Sequence, residues 1–312
     1  MRNAAAFLLL LTSLSAHAVV IRDDVPDLQY RMAVSDFPAL ADIPGEGHGV
    51  LIAPQWVVTA AHAVSWQHAV EVVVVGGTPR AVARVVLHPG YRTPPQAMID
   101  AALASGDWVA FFDFIAASDD IALIQLAEPV RDVRPVAIHD RAASGDIVRI
   151  MGRGATGTGA KGHALQGPNR TDLRHGYNTL TVADGRWIGY AFDPPPSALP
   201  LEATTGNGDS GGPILIAVEG EWRVAGVAAW KRARVEGTEI QPGRYGETSY
   251  GVRLAHYADW IDATMRTSGR PDTTHGPVIP QPGIAQAGSC ASAPPLPPGD
   301  PLTRDRDPAG SR

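Results

Sequence analysis

The chain has 312 residues, a net charge of −6, 45% hydrophobic and 19% charged residues, values ordinary for a soluble globular protein of one large or two small domains. The acidic balance and the absence of basic runs exclude nucleic acid and acidic membrane surfaces as expected partners, leaving small molecules or proteins. The single cysteine, Cys290, excludes an intrachain disulfide, so stability has to come from a packed core.

Residues 1–18 read "MRNAAAFLLLLTSLSAHA": Arg2, an apolar run over 4–11, then the small-x-small pattern Ala16-His17-Ala18. This is a signal peptide pattern with cleavage after Ala18, and its apolar run is too short for a membrane span. The mature chain is expected to start at Val19, in a periplasm or outside the cell. No later apolar run has transmembrane length, so no membrane span is expected in the mature form.

Short β-branched runs follow at 49–52, 56–59, 70–75, 82–87, 121–126, 147–151, 214–218 and 224–229, separated by Gly, Pro and Asp. That spacing predicts an all-β sandwich or barrel rather than alternating βαβ units. Residues 98–117, rich in Ala and aromatics, predict a partly helical insertion, with an irregular loop as its alternative. Leu254, Tyr257, Ile261 and Met265 recur at helical spacing, and a terminal helix packed on the core is expected. From Thr267 the composition turns to Gly, Pro, Ser and Asp, the pattern of a disordered tail; its Cys290 reads either as a thiol that pairs with another chain or as a surface passenger, the second being preferred.

The chemistry gathers around "GNGDSGGP", residues 206–213. It contains Gly-x-Ser-x-Gly, the nucleophile elbow of α/β-hydrolases, and also Gly-Asp-Ser-Gly-Gly. A serine nucleophile needs a base, and the base needs a carboxylate to fix its tautomer. His62, in "WVVTAAHAV", and Asp120, opening "DIALIQL", both lie upstream of Ser210; downstream stand only His256, in the terminal helix, and His275, in the tail. The elbow enzymes run Ser, acid, His, so chain order and the β-rich background both reject that reading.

The segments "TAAH" around His62, "DIAL" from Asp120 and "GDSGGP" from Gly208 resemble the three signature motifs of the chymotrypsin/trypsin-like serine protease family. Weaker echoes are "HPGY" at 88–91, "GRGAT" at 152–156 and "VAGVAAW" at 224–230; together they cover most of 19–266. The resemblance implies a secreted bacterial-type member without disulfides, folded as two six-stranded antiparallel β-barrels with a C-terminal helix. The expected division is a signal peptide at 1–18 and a protease domain at 19–268, followed by the Pro/Gly-rich tail at 269–312. Within the domain the barrels would occupy about 19–135 and about 136–253, and the helix about 254–267.

By the same resemblance Ser210 is the nucleophile, His62 the general base and then acid, and Asp120 the orienting carboxylate. The amides of Gly208 and Ser210 would form the oxyanion hole, and Asp209 would pair with the α-amino group of Val19; its alternative is a carboxylate held by side chains or backbone donors. The implied partner is a protein or peptide substrate, and no cofactor is implied.

Four residues map to the specificity pocket: Thr204 at its base, and Ala229, Trp230 and Lys231 where the family usually has Ser-Trp-Gly. With no acid at Thr204, a preference for Arg or Lys is not indicated. Lys231 reads either as a counter-charge for an acidic side chain or as a solvent-facing loop residue, the second being preferred.

"GRGATG" at 152–157 spells a dinucleotide fingerprint, but the loop-like "TGAKGHALQGPNR" follows where a helix is required, so it reads as a turn. Zinc spacing and "HEXXH" are absent, so no metal is implied; His48, His68, His139, His163 and His175 read as surface or packing residues. Two rivals remain: a catalytically inactive binding protein on the same fold, whose usual mark is a substituted triad, and an esterase using the same three residues.

Overall fold

The computed structural model describes residues 19–45, 47–65, 70–164, 172–236 and 239–267. Residues 1–18, expected to be a signal peptide, residues 268–312 with His275 and Cys290, and His68 lie outside the described residues. At the start, β1 (Val20–Ile21) is a two-residue strand that belongs to neither barrel.

Six strands then close the first barrel: β2 (Leu40–Asp42), β3 (His48–Ala53), β4 (Trp56–Thr59), β5 (Val72–Val75), β6 (Thr78–Leu87) and β7 (Ala122–Leu126), in the spatial order β2-β3-β4-β7-β6-β5. All its pairings are antiparallel. Closure leaves no unpaired edge, which is how a chain of short strands escapes edge-to-edge association. The one-turn helix α1 (His62–Ser65) follows β4.

The insertion between β6 and β7 is helical, as two helices, α2 (Gln96–Ser105) and α3 (Val109–Ala116). Gly106, with φ 73°, ends α2 in the left-handed conformation that glycine adopts without strain.

The second barrel draws on β8 (Ile147–Gly152), and the chain then makes the short strands β9 (Gly157–Thr158) and β10 (Gly162–His163). β11 (Arg174–Asp184) and β12 (Trp187–Ala191) return to the barrel, β13 (Ala203–Thr204) leaves it again, and β14 (Pro213–Val218) and β15 (Glu221–Arg232) form its long hairpin. After the small ribbon of β16 (Arg234–Glu236) and β17 (Glu239–Gln241), β18 (Thr248–Arg253) completes the closed order β11-β12-β18-β15-β14-β8. The two six-stranded antiparallel barrels are those the sequence motifs implied.

Period-two alternation decides what each barrel strand faces. On β14, Ile214 and Ile216 turn into a cluster with Val148, Ile150, Leu180 and Ile188. Leu215 between them turns to the other cluster, which holds the first barrel's Val57, Leu123 and Ile124.

A 3₁₀ turn (Leu254–Tyr257) runs into the terminal helix α4 (Ala258–Thr267). Its expected apolar stripe packs inward: Leu254, Tyr257 and Ile261 lie in the core, with Met265 against it. No helix among the described residues is long and apolar enough to cross a membrane.

Candidate active site

β4 and β7 are neighbours in the first barrel, with Thr59 opposite Ala122. The chain leaving β4 through buried Ala60 and Ala61 reaches His62, and the chain entering β7 passes Asp120, so both side chains emerge at the same end of one strand pair. Asp120 is 7% exposed, and both its oxygens go to one residue: Oδ1 accepts from the His62 amide at 2.8 Å, and Oδ2 lies 2.7 Å from His62 Nδ1. A carboxylate has no proton to give at neutral pH, so Nδ1 carries the hydrogen and Nε2 is left as the acceptor. The group facing Nε2, at 2.7 Å, is the Ser210 hydroxyl. The structure therefore brings His62, Asp120 and Ser210 into one hydrogen-bonded line, in which the serine proton has a base and the base has a partner for its developing charge.

Ser210 comes from the second barrel, on the turn between β13 and β14. Two glycines make that turn possible. Gly208 has φ 90° and Gly211 φ 74°, and a Cβ on Gly211 would stand 2.0 Å from the His48 carbonyl oxygen. Contact between the barrels is made here by the His48 amide, which donates to Ser210 O at 2.7 Å; within the first barrel Thr59 Oγ1 donates to the His48 carbonyl at 2.6 Å.

His48 is fully buried, and burial, reinforced by the Arg153 charge, pushes its imidazole down to about 3. It stays neutral where its amide holds the Ser210 carbonyl. As a packing residue it was legible in the sequence; as a support for Ser210 it was not, because nothing around His48 marks a contact with a residue 162 positions away.

Asp209 is 0% exposed and accepts from the Gly154 amide on Oδ1 and the Gly206 amide on Oδ2, both at 2.7 Å. The glycine-rich segment after β8 thus braces the turn that carries Ser210, and its chain continues into β9 rather than a helix. Beside it, Val20 of β1 pairs with Thr204 and Gly157, and Val19 is buried.

On the other side of Ser210, Thr204 is buried, its Oγ1 2.7 Å from Ser249 Oγ. Ala229, Trp230 and Lys231 lie near the end of β15, with the Trp230 ring stacked on Tyr250 at 4.1 Å and on Phe112 of α3 at 6.2 Å. Lys231 corrects the sequence reading that pointed it into solvent. Its side chain is 14% exposed, and Nζ donates to Thr205 O and lies 3.5 Å from Oε1 of Glu247 and 3.5 Å from Nε2 of His163. A buried carboxylate on the neighbouring strand segment, invisible as such in "GETSY", draws the ammonium inward. Burial, and then the Lys231 charge, hold the His163 imidazole at about 3, so it meets Lys231 as a neutral acceptor.

With this geometry in place, a family model, Trypsin, matches residues 31–261. The chain belongs to the trypsin family. Among curated relatives, Proproteinase E of Bos taurus is 28% identical over 240 residues, covering 70% of this chain and 83% of that protein. Chymotrypsin-like elastase family member 3B of Homo sapiens is 29% identical over 235 residues (70% and 77%), and Tryptase of Mus musculus 29% over 231 residues (68% and 76%). As a trypsin-family protein the chain is a serine-type endopeptidase, and its substrates are proteins or peptides.

Proposed function

We propose that the enzyme cleaves peptide bonds through an acyl-enzyme on Ser210. The observation that carries this reading is the His62 ring held between Asp120 Oδ2 and Ser210 Oγ, 2.7 Å from each. Ser210 Oγ attacks the scissile carbonyl carbon while its proton passes to His62 Nε2, and Asp120 stabilises the imidazolium that results. The tetrahedral oxyanion sits against the amides of Gly208 and Ser210. As the C–N bond breaks, His62 returns the proton to the leaving amine, and the acyl group remains as an ester on Ser210. Water, deprotonated by the same Nε2, then attacks the ester carbonyl; as the C–O bond breaks, His62 gives that proton to Ser210 Oγ, and the new carboxyl end is released.

Export belongs to the same reading. Cleavage after Ala18 frees the amino group of Val19, which pairs with Asp209 and sets the oxyanion turn, so no separate activation cut is needed. The burial of Val19, and of Val20 and Asp209 with it, supports this.

The test is a fluorophosphonate probe applied to the exported, processed protein. Wild type takes the label, Ser210→Ala does not, and both are compared on amide and ester substrates. Labelling that persists in Ser210→Ala overturns the mechanism. Absence of labelling in wild type favours a binding protein on this fold, and turnover of esters without amides favours an esterase.

A further inference from the structure

β15 passes directly beside the nucleophile turn: the Gly211 amide donates to Ala228 O at 2.7 Å, and the Ala228 amide to Gly212 O at 2.8 Å. The residues that continue the strand, 229–231, therefore run on from the Ser210 turn, and the bond from Lys231 Nζ to the Thr205 carbonyl ties them to the 204–206 segment that leads into Ser210.

Trp230 and Lys231, as successive strand residues, turn to opposite faces. Trp230 lies over its cross-strand partner Tyr250, while Lys231 is in register with Ser249. Cross-strand partners share a face, and the Ser249 hydroxyl is bonded to Thr204 Oγ1. The Lys231 side chain consequently lies on the face that carries Thr204 and Ser249 and reaches across to deliver its ammonium to the Thr205 carbonyl.

Beyond that ammonium stands Glu247, whose side chain is 0% exposed. Its Oε2 accepts from the Gly243 amide at 2.6 Å, whereas Oε1, 3.5 Å from Lys231 Nζ, makes no hydrogen bond among the described residues.

The geometry points to Lys231 as the enzyme's own plug in its primary specificity pocket, so that the substrate residue on the amino side of the cleaved bond must be small and uncharged, with Glu247 behind the plug as a latent site for a substrate ammonium. This rests on the reading of Ser210 as nucleophile. Volume supplies the first half of the argument: a side chain that reaches across to the Thr205 carbonyl leaves the pocket no depth for an aromatic or a long aliphatic group. Charge supplies the second. Drawing Lys231 out to meet an acidic substrate would strand a buried carboxylate, a costly state, so the ammonium stays with Glu247. His163, kept neutral by burial, adds an acceptor on the same side.

The experiment profiles the processed enzyme on a peptide library, scoring the residue before each cleaved bond, with fluorophosphonate labelling on the same samples. Wild type is expected to cut after Gly, Ala and Ser at least 10-fold faster in kcat/KM than after Phe, Leu, Lys, Arg or Asp. Lys231→Ala is expected to gain at least 10-fold for Lys relative to Ala, because the Glu247 carboxylate is then free for a substrate ammonium. Since this variant leaves that carboxylate unpaired, Lys231→Ala with Glu247→Gln, which removes both charges, serves as the second variant. It is expected to gain at least 10-fold for Phe or Leu and to show no gain for Lys.

A wild type that cuts equally well after large residues, or prefers Asp and Glu, overturns the inference; so does a labelled double variant with the wild-type profile. Wild type that neither labels nor cuts defeats the nucleophile reading instead.

Discussion

Asp120 gives both carboxylate oxygens to a single residue, His62, through its amide and its ring; Glu247, a few residues from the same cleft, divides its two between the Gly243 amide and the Lys231 ammonium. In the proposed mechanism the first arrangement fixes a ring that passes a proton, so its other contact, to Ser210, is a neutral hydrogen bond that can shift its proton without rearranging atoms. The second fixes a side chain that must stay where it is, and there a buried charge pair serves, because separating it is costly. One cleft thus contains a region built for transfer and a region built for exclusion, and the two are separable by substitution.

The largest expected effect lies in the transfer region. Asp120→Asn keeps the size of the side chain but offers an amide where Nδ1–H needs an acceptor, which turns the His62 tautomer so that Nε2 can no longer take the serine proton. The same change in a related protease triad lowers kcat about 10⁴-fold, and a loss of that order is expected here. The exclusion region is untouched, so the ranking of library peptides should stay as in wild type while every rate falls. A changed ranking would mean that the two regions are coupled through the cleft.

How much of this was legible in the sequence follows the same division. His62, Asp120 and Ser210 each sit at the end of a strongly apolar or glycine-rich run, so their motifs are local and survive being read one at a time. The strands beside two of them, β4 before His62 and β7 after Asp120, are mostly buried and apolar.

β11 and β18 left no comparable signal. Their sequences, "RHGYNTLTVAD" and "TSYGVR", mix Gly, Thr and charged residues, and only pairing with neighbours on both sides makes them strands. The exclusion region was illegible for a related reason. Lys231 and Glu247 are 16 positions apart, and what joins them is the β15–β18 register. A lysine beside a tryptophan reads as solvent-facing until the carboxylate behind it is in view.

Asp209 stands between the two regions, and its substitution has the next largest effect. Asp209→Asn places a donor against either the Gly154 or the Gly206 amide, leaving a buried polar group unsatisfied at a cost of about 1–3 kcal/mol, measurable by urea unfolding. Because the turn that Asp209 braces carries Gly208 and Ser210, kcat is expected to fall about 10²- to 10³-fold, the scale of losing one oxyanion donor. A one-residue extension ahead of Val19 separates the carboxylate's two roles. If the Val19 amino group is its partner, the extension lowers kcat while the Gly154 and Gly206 bonds persist; unchanged kcat leaves Asp209 held by backbone donors.

The smallest effect compares the two regions through their buried histidines, His48 behind the nucleophile and His163 behind the pocket, each held near 3 by burial, with Arg153 and Lys231 as the second cause. In the unfolded chain both titrate at about 6.5. Their folded values lie below that, so the unfolded state binds the extra protons: the stability they contribute is fully present above pH 6.5 and is lost as pH falls toward 3. Between pH 6.5 and 5, before most carboxylates titrate, each should steepen the decline in unfolding free energy by an amount approaching about 1.4 kcal/mol per pH unit. Urea unfolding of His48→Asn and His163→Asn across that range isolates each slope, whatever either change does to stability at pH 7. In Lys231→Ala with Glu247→Gln the His163 contribution should level off at a higher pH, because the neighbouring ammonium that opposes its protonation is gone, whereas the His48 contribution should not move. Equal responses at both sites would show that burial alone sets the two histidines, and that the Lys231 charge is not felt behind the pocket.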